Sequence, residues 1–293
     1  MCGIIGYIGT KNVVEVLIDS LKRLEYRGYD SAGIAVVRGR ELMIRRAAGK
    51  LKNLEESVRE NPLNGTFGIG HTRWATHGRP TEENAHPHRD CNGRIVVVHN
   101  GIIENYLELK ESLQAEKHKF VTETDTEALV HLIEKHYQGN LESAVMRAFR
   151  LVEGVYSCAV LSADEPDKIV AVRNGPPLVA GLGRGEYFVS SDIPAILHHT
   201  REIIFLNNHE LATVTLNGVA LSDFEGKPLN RSPQTINWDP MMAEKGGFRH
   251  YMLKEIFEQP WAIRETILER FSLESGKIYF DGLAELQEQL SKT

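Results

Sequence analysis

Apolar positions change their spacing several times along the first half of this chain, and each change indicates a new element. Residues 4–8 form a short continuous apolar run, which predicts a buried strand almost at the amino terminus. The next apolar residues recur at helical spacing and predict a helix through Val14, Leu17, Ile18, Leu21 and Leu24. Further apolar runs predict strands at residues 33–37, 66–70 and 94–98. Helical spacing recurs at residues 106–117, 126–137 and 141–152, with Thr124 or Asp125 as the cap of the second of these helices.

The pattern turns to strands between residues 155 and 229. Short apolar runs there predict strands at residues 156–161, 169–173, 178–181 and 187–190. A hairpin is indicated by two runs, residues 211–216 and 219–222, joined by Asn217-Gly218, because Asn-Gly tolerates the positive φ angles of a type I′ turn. Blocks of helices and hairpin-linked strands predict an α+β fold with largely antiparallel sheets, and two sheets between helical layers fit this pattern.

A boundary is predicted near residues 237–240. Beyond it, the pattern predicts two helices at residues 248–257 and 260–271, with Pro260 in a first turn, where its missing N–H is tolerated. A short strand at residues 277–280 and a polar helix are expected at the end of the chain.

Composition narrows the class of protein. Of the 293 residues, 42% are apolar and 25% charged, and the net charge is −6 without any basic block, which argues against nucleic acid as a partner. No apolar run approaches the roughly 18 residues that span a bilayer, and the amino terminus lacks the features of a signal peptide. Three scattered cysteines are too few for a disulfide framework. We therefore expect a cytoplasmic protein without a membrane partner.

Cys2 directly precedes the first predicted strand. In isolation it can be interpreted as a small apolar residue on an edge strand. Removal of Met1 would, however, place a thiol and a free α-amine on one residue, anchored by the strand that follows. An α-amine with a pKa of about 7.7–8.0 is a competent base for a thiol with a pKa of about 8.5. The functional hypothesis is a nucleophile activated by its own amine.

Two polar segments follow predicted strands. Residues 71–78 contain Arg73, whose planar fork suits a carboxylate, together with Thr76 and a potential lid, Trp74. A surface loop with a partly buried tryptophan is the alternative interpretation. In the second segment, the Asn100 amide and the Gly101 backbone N–H could converge on one oxygen as an oxyanion hole, although Asn-Gly also suits a simple turn.

Asp125 completes a set that matches one ligand. It precedes a predicted helix, where it could cap the helix, bind an ammonium group, or do both. Arg73 and Thr76 suit an α-carboxylate, while Asn100 and Gly101 suit the oxyanion formed from a side-chain amide. With Cys2 as the attacking group, the expected ligand is glutamine or asparagine.

Histidines raise the question of a metal. Five of them fall between residues 71 and 99. No nearby pair of carboxylates or cysteines completes a convincing ligand set with them, so the sequence predicts no metal and no cofactor.

The motifs that carry these residues resemble those of the class II glutamine amidotransferases, which are N-terminal nucleophile proteins. The matching segments are residues 1–4, 26–33, 71–78, 84–88, 99–105 and 124–127, and residues 247–260 resemble a linker found in the same family. The resemblance implies a four-layer αββα fold, with catalytic Cys2, Asn100 and Gly101. It implies glutamine binding by Arg73, Trp74, Thr76, His77 and Asp125.

The resemblance also implies an organisation. Residues 2–240 would form the glutaminase domain, and residues 241–293 the linker to sugar-isomerase domains of a longer, homodimeric enzyme. We expect this chain to be the glutaminase half. Two alternatives remain open: another class II amidotransferase or N-terminal nucleophile amidase, and a non-catalytic module that binds an amino acid or a partner chain.

Overall fold

The structure is a computed structural model, which describes residues 2–237, 248 and 250–267. The chain divides into two units, Met1–Pro240 and Met241–Thr293. The strand and terminal helix predicted beyond residue 271 lie outside the described residues, as do residues 238–240 of the predicted boundary.

The first unit is built on two antiparallel sheets. The eight strands of the first sheet are β1 (Gly3–Ile8), β2 (Ser31–Arg38), β3 (Glu41–Ala48), β4 (Phe67–Arg73), β9 (Val179–Leu182), β10 (Tyr187–Ser190), β11 (Glu202–Phe205) and β15 (Gln234–Thr235). Their order across the sheet is β15-β11-β9-β10-β1-β4-β2-β3, so β1 lies inside the sheet between β10 and β4. The amino terminus is therefore anchored on both sides.

The second sheet has seven described strands. They are β5 (His88–Arg89), β6 (Ile95–Ile103), β7 (Gly154–Ser162), β8 (Lys168–Asn174), β12 (Glu210–Thr215), β13 (Gly218–Asp223) and β14 (Pro228–Leu229). Their order is β14-β13-β12-β8-β7-β6-β5. The long β6 pairs with β7 along its whole length, from Ile95 opposite Ser162 to Ile103 opposite Gly154.

Helices cover the outer face of each sheet. The first sheet is covered by α1 (Val13–Leu24) and α2 (Leu51–Glu60), and the second by α3 (Tyr106–Ala115), α4 (Thr126–His136) and α5 (Leu141–Phe149). A third apolar cluster fills the space between the sheets. The predicted four-layer αββα arrangement is thereby confirmed.

The apolar run of β1 follows from its position in these layers. Ile5 and Tyr7 belong to the cluster under α1, whereas Ile4 and Ile8 belong to the cluster between the sheets. Because side chains alternate between the two faces of a strand, a strand buried on both faces must be apolar throughout.

Several local predictions need correction. The register places Thr215 opposite Gly218, so the turn residues of that hairpin are Leu216 and Asn217, and the positive φ belongs to Gly218 alone. β4 and β6 run past their predicted ends, and this extension carries polar residues into the core. The pattern also missed β3 and α2, which have mixed polarity because they are only partly buried.

The second unit contains α6 (Tyr251–Ile267), which is one helix rather than the two that were predicted. Pro260 lies inside it. Proline removes one helical hydrogen bond but does not by itself end a helix. Among the described residues, no helix has the length and apolar character needed to cross a bilayer.

Candidate active site

The thiol of Cys2 is held by the end of the neighbouring strand. β1 pairs with β4 so that Gly3 lies opposite Thr72, which places Cys2 beside the segment that follows β4. The backbone N–H of Trp74 donates to Cys2 Sγ at 3.2 Å, and Cys2 Sγ lies 3.5 Å from the Trp74 carbonyl oxygen. The nucleophile candidate therefore has a fixed direction.

The carbonyl oxygen of Cys2 is also fixed. It accepts hydrogen bonds from Asn100 Nδ2 and from Arg27 Nε, each at 3.1 Å. Arg27 is itself held by an ion pair with Asp192 at 2.8 Å and by a bond to the Ser191 carbonyl. The sequence did not assign a role to Arg27, although it lies in one of the recognised motifs.

Burial raises the pKa of the Cys2 thiol, because the charged thiolate loses solvation. The Trp74 N–H and the positive charges of Arg73 and Arg27 act in the opposite direction. The thiol therefore needs a base to form the thiolate, whose loss of solvation is only partly offset by the Trp74 N–H and the two arginines.

A pocket opens next to the thiol. Its lining consists of Cys2, Arg73, Trp74, Thr76, His77, His86, His99, Gly101, Thr124, Asp125 and Thr126. Seven of the eight candidate residues are in this lining, and the eighth, Asn100, contacts Cys2. These residues come from segments far apart in the sequence, so the fold brings the predicted set together.

The Arg73 guanidinium lies in the wall of this pocket. It donates to backbone carbonyls of the loop that follows β4: His77, Gly78 at 3.4 Å and Arg79 at 3.2 Å. Arg73 is nearly buried, and its charge is compensated by those of nearby Asp125 and Asp30. A buried arginine beside a pocket can bind a ligand carboxylate at low cost, because it is already desolvated.

Asp125 occupies the N-cap position of α4, but its side chain does not cap the helix. Oδ2 instead accepts the backbone N–H of Ile103 at 2.9 Å, which ties α4 to the end of β6. The capping prediction for Asp125 is therefore wrong, and Thr124 is not the N-cap either. The carboxylate is held at the pocket wall by a bond to another element.

Asn100 is oriented by a histidine. His71 Nε2 lies 3.0 Å from Asn100 Oδ1 and 3.0 Å from the His99 carbonyl oxygen. Both are acceptors, so this nitrogen carries a proton and donates to them. Burial lowers the pKa of His71 to about 3, which keeps the ring neutral. His71 thus fixes which end of the Asn100 amide faces Cys2, a role that the sequence did not reveal.

Gly101 occupies a conformation that other residues rarely adopt. Its φ is +136°, and a Cβ added there would lie 2.0 Å from the Val155 carbonyl oxygen and 3.0 Å from His99 Nε2. The backbone of β6 can therefore line the pocket at this point only with glycine.

The other histidines of the segment support the wall. His86 stacks on His71 at 4.2 Å between ring centroids, His88 Nε2 lies 3.1 Å from Thr124 Oγ1, and His99 Nδ1 lies 2.9 Å from Thr126 Oγ1. Burial lowers the pKa of all three histidines. Among the described residues, none of these rings belongs to a potential metal-ligand set.

Two further candidates lie at the mouth of the pocket. Trp74 is 45% exposed, and its ring contacts Tyr29 edge-on at 5.6 Å. His77 packs edge-on against Tyr106 at 5.6 Å. A large exposed ring at the entrance is consistent with a lid.

Comparison with known proteins shows which family the chain is similar to. The model of the glutamine amidotransferase domain family matches residues 71–198. The chain is 52% identical over 293 residues to a glutamine–fructose-6-phosphate aminotransferase (isomerizing) of Clostridium tetani, with 100% of this chain and 48% of that protein covered. The same description and identity apply to a Thermus thermophilus protein over 278 residues, covering 95% and 46%. The chain belongs to the glutamine amidotransferase family. It spans about half the length of the curated relatives it matches.

Solved structures share the fold of this chain. The glutamine phosphoribosylpyrophosphate amidotransferase of B. subtilis has a TM-score of 0.67 at 24% identity, covering 76% of this chain and 49% of that one. A structure described as the allosteric regulatory enzyme of purine biosynthesis has a TM-score of 0.68 at 25% identity over the same shares. The predicted N-terminal nucleophile fold is confirmed.

Proposed function

We propose that the chain hydrolyses the side-chain amide of L-glutamine to glutamate and ammonia. The observation that carries this proposal is a single pocket in which the Cys2 thiol lies beside a buried arginine and a buried aspartate. The two opposite charges of Arg73 and Asp125 suit the carboxylate and ammonium of an α-amino acid, and the thiol would then meet its side chain.

The reaction begins after Met1 has been removed. The Cys2 thiol transfers its proton to its own α-amine, and the thiolate attacks the amide carbon of glutamine. The Asn100 side-chain amide and the Gly101 backbone N–H stabilise the tetrahedral oxyanion. The C–N bond breaks, and the ammonium returns its proton to the departing nitrogen, which leaves as ammonia. A γ-glutamyl thioester remains on Cys2.

Water completes the cycle. The free α-amine accepts a proton from the attacking water, the C–S bond breaks, and glutamate leaves as the thiol is restored. Trp74 would close over the bound amino acid, with Thr76 and His77 at its edge, so that water reaches the thioester only after ammonia has left. No cofactor takes part in this scheme.

We infer the role of the whole protein from its relatives. Residues 2–240 would be the glutaminase domain, and residues 241–293 would connect it to a sugar-isomerase domain in which ammonia converts fructose 6-phosphate to glucosamine 6-phosphate. Support comes from the function of the relatives and from their greater length. A homodimeric full-length enzyme and a cytoplasmic location remain predictions from the sequence.

Glutamate release by the purified chain tests the proposal. Cys2→Ala should abolish turnover but leave glutamine binding, measured by calorimetry, largely intact. Arg73→Lys keeps the charge and loses the planar fork, so it should raise the KM for glutamine at least about tenfold. Turnover near the wild-type rate in Cys2→Ala would sink the mechanism, and an unchanged KM in Arg73→Lys would reject the carboxylate assignment.

Two alternatives have separate readouts. A non-catalytic amino-acid-binding module would bind glutamine without releasing glutamate, and mass spectrometry would find Met1 retained. Another class II amidotransferase would release glutamate but would join its ammonia to a different acceptor. Assay of the full-length protein with fructose 6-phosphate and glutamine distinguishes that case.

A further inference from the structure

Four potential metal ligands converge near β5, the edge strand of the second sheet, and none of them lines the pocket. Cys91 lies in the turn between β5 and β6, His118 lies between α3 and α4, and His131 and Glu134 lie on α4. One ligand atom from each side chain lies within 4.8 Å of the other three. Local hydrogen bonding alone would not require a thiol, two imidazoles and a carboxylate to meet at one point.

The distances among these atoms lie within about half an ångström of those in a tetrahedral coordination shell. Glu134 Oε2 lies 2.9 Å from His118 Nδ1 and 3.1 Å from His131 Nδ1, and Cys91 Sγ lies 3.8 Å and 3.5 Å from the same two nitrogens. Zinc bonds of about 2.3 Å to sulfur and 2.0–2.1 Å to nitrogen and oxygen separate tetrahedral ligands by about 3.3–3.6 Å. Small side-chain shifts would centre an ion.

Charge and ligand chemistry favour zinc. A Cys91 thiolate and the Glu134 carboxylate together neutralise one divalent cation, so the loaded site would carry no net charge. The mixture of one sulfur, two nitrogens and one oxygen is typical of zinc rather than of calcium or magnesium. On binding, the Cys91 thiol releases its proton to solvent, and both imidazoles bind through unprotonated Nδ1.

The surroundings hold these ligands in place. His131 Nε2 is buried without a hydrogen-bond partner, and Glu127 Oε1 lies 3.7 Å away. A small shift would give the carboxylate–histidine hydrogen bond that orients metal-bound histidines. The backbone N–H of Lys119 donates to Cys91 Sγ at 3.3 Å, which favours a thiolate. Asn92 Nδ2 donates to the second Glu134 oxygen at 2.9 Å.

We propose that Cys91, His118, His131 and Glu134 bind one structural Zn²⁺. Four protein ligands fill a tetrahedral shell and leave no position for substrate, so the ion stabilises structure and does not take part in glutamine hydrolysis. It joins the β5–β6 turn to α4 and to the segment between α3 and α4. That segment ends at Asp125, and the backbone N–H groups of Val121 and Thr122 donate to the Glu127 carboxylate at 2.7 Å. The ion would therefore rigidify one wall of the glutamine pocket.

Metal content is the direct test. The chain is stripped with a chelator, reloaded with Zn²⁺, desalted and analysed by mass spectrometry of the metal. A Cys2→Ala background removes the active-site thiol as a competing ligand, and Cys158 is fully buried. We expect one zinc per chain, and at least about a 100-fold weaker zinc affinity after Cys91→Ser. His198→Ala is the matched control, because the exposed His198 belongs to a second potential ligand set, with the half-buried Asp19 and His199, that lacks sulfur.

Cobalt provides a second readout that identifies the ligands. In the same background, Co²⁺ should give a thiolate-to-cobalt charge-transfer absorption that Cys91→Ser abolishes and His198→Ala preserves. Circular dichroism checks that each variant folds; the change at Cys91 is tolerable because this residue lies in an exposed turn. Absence of retained zinc, or equal zinc and cobalt binding in the Cys91→Ser and parent chains, would overturn the proposal.

Discussion

His88 is buried without charge behind the pocket, and this makes the fold sensitive to acid. Its ring is 2% exposed, with Nε2 beside Thr124 Oγ1, and burial lowers its pKa from 6.5 to about 3. Because the pKa of His88 is lower in the folded protein, the unfolded chain takes up this proton at a higher pH. The contribution of His88 to the free energy of unfolding is therefore fully present above pH about 6.5 and is lost progressively towards pH about 3.

The size of this effect follows from the shift. Each pH unit inside that window lowers the free energy of unfolding by about 1.4 kcal/mol for one such histidine. Between pH about 7 and pH about 5 the loss due to His88 is about 2 kcal/mol, because only the lower part of that interval lies well below the unfolded pKa. Carboxylates that titrate near their usual values contribute little over the same interval.

The assay compares urea unfolding at these two pH values. His88→Gln keeps a nitrogen near the position of Nε2 but cannot be protonated. The variant should therefore lose about 2 kcal/mol less stability on acidification than the wild type, whatever its stability at neutral pH. His209→Asn, at an exposed position, is the control and should follow the wild type. An equal loss in His88→Gln and wild type would refute the assignment of a buried neutral ring.

Two further substitutions test how the pocket is built. Gly101→Ala should destabilise the fold by at least about 2 kcal/mol, because its Cβ would lie 2.0 Å from the Val155 carbonyl oxygen at a φ of +136°; a urea midpoint within error of the wild type would contradict this. Asn100→Ala should lower the kcat for glutamate release about 100-fold or more with a smaller change in KM, since an oxyanion donor acts in the transition state. An unchanged kcat would remove Asn100 from the oxyanion hole.

The sequence predicted the elements that are buried on both faces or on one complete stripe, such as β1 and α1, because burial imposes an apolar pattern. It missed β3, whose middle positions are only partly buried and which therefore tolerates arginine as well as leucine. It also predicted which side chains meet at the pocket. A ligand with a carboxylate, an ammonium group and an amide requires particular charged and donor groups, and these residue types can be identified in the sequence without knowledge of the local structure.

The spacing of apolar and polar residues along the chain could not predict contacts that depend on tertiary structure. His71 orients Asn100 and Arg27 holds Cys2 only because separate strands meet there. The ligand set proposed for zinc gives no local sequence signal for the same reason. The histidine-rich residues 71–99 stand out in the sequence, whereas the proposed set pairs Cys91 with side chains 27 to 43 positions further along the chain.

Placement of the thiol is coupled to packing of the core through the register of β1. Gly3 opposite Thr72 puts Cys2 beside Trp74, and the same register puts Ile5 under α1 and Ile4 between the sheets. If the pairing slipped by one residue, every side chain of β1 would point to the opposite face of the sheet. The side chains that now fit the layer under α1 and the layer between the sheets would then be in the wrong layer. The apolar run beside Cys2 is thus part of the proposed catalytic arrangement, because it fixes the register that places the candidate nucleophile beside Trp74.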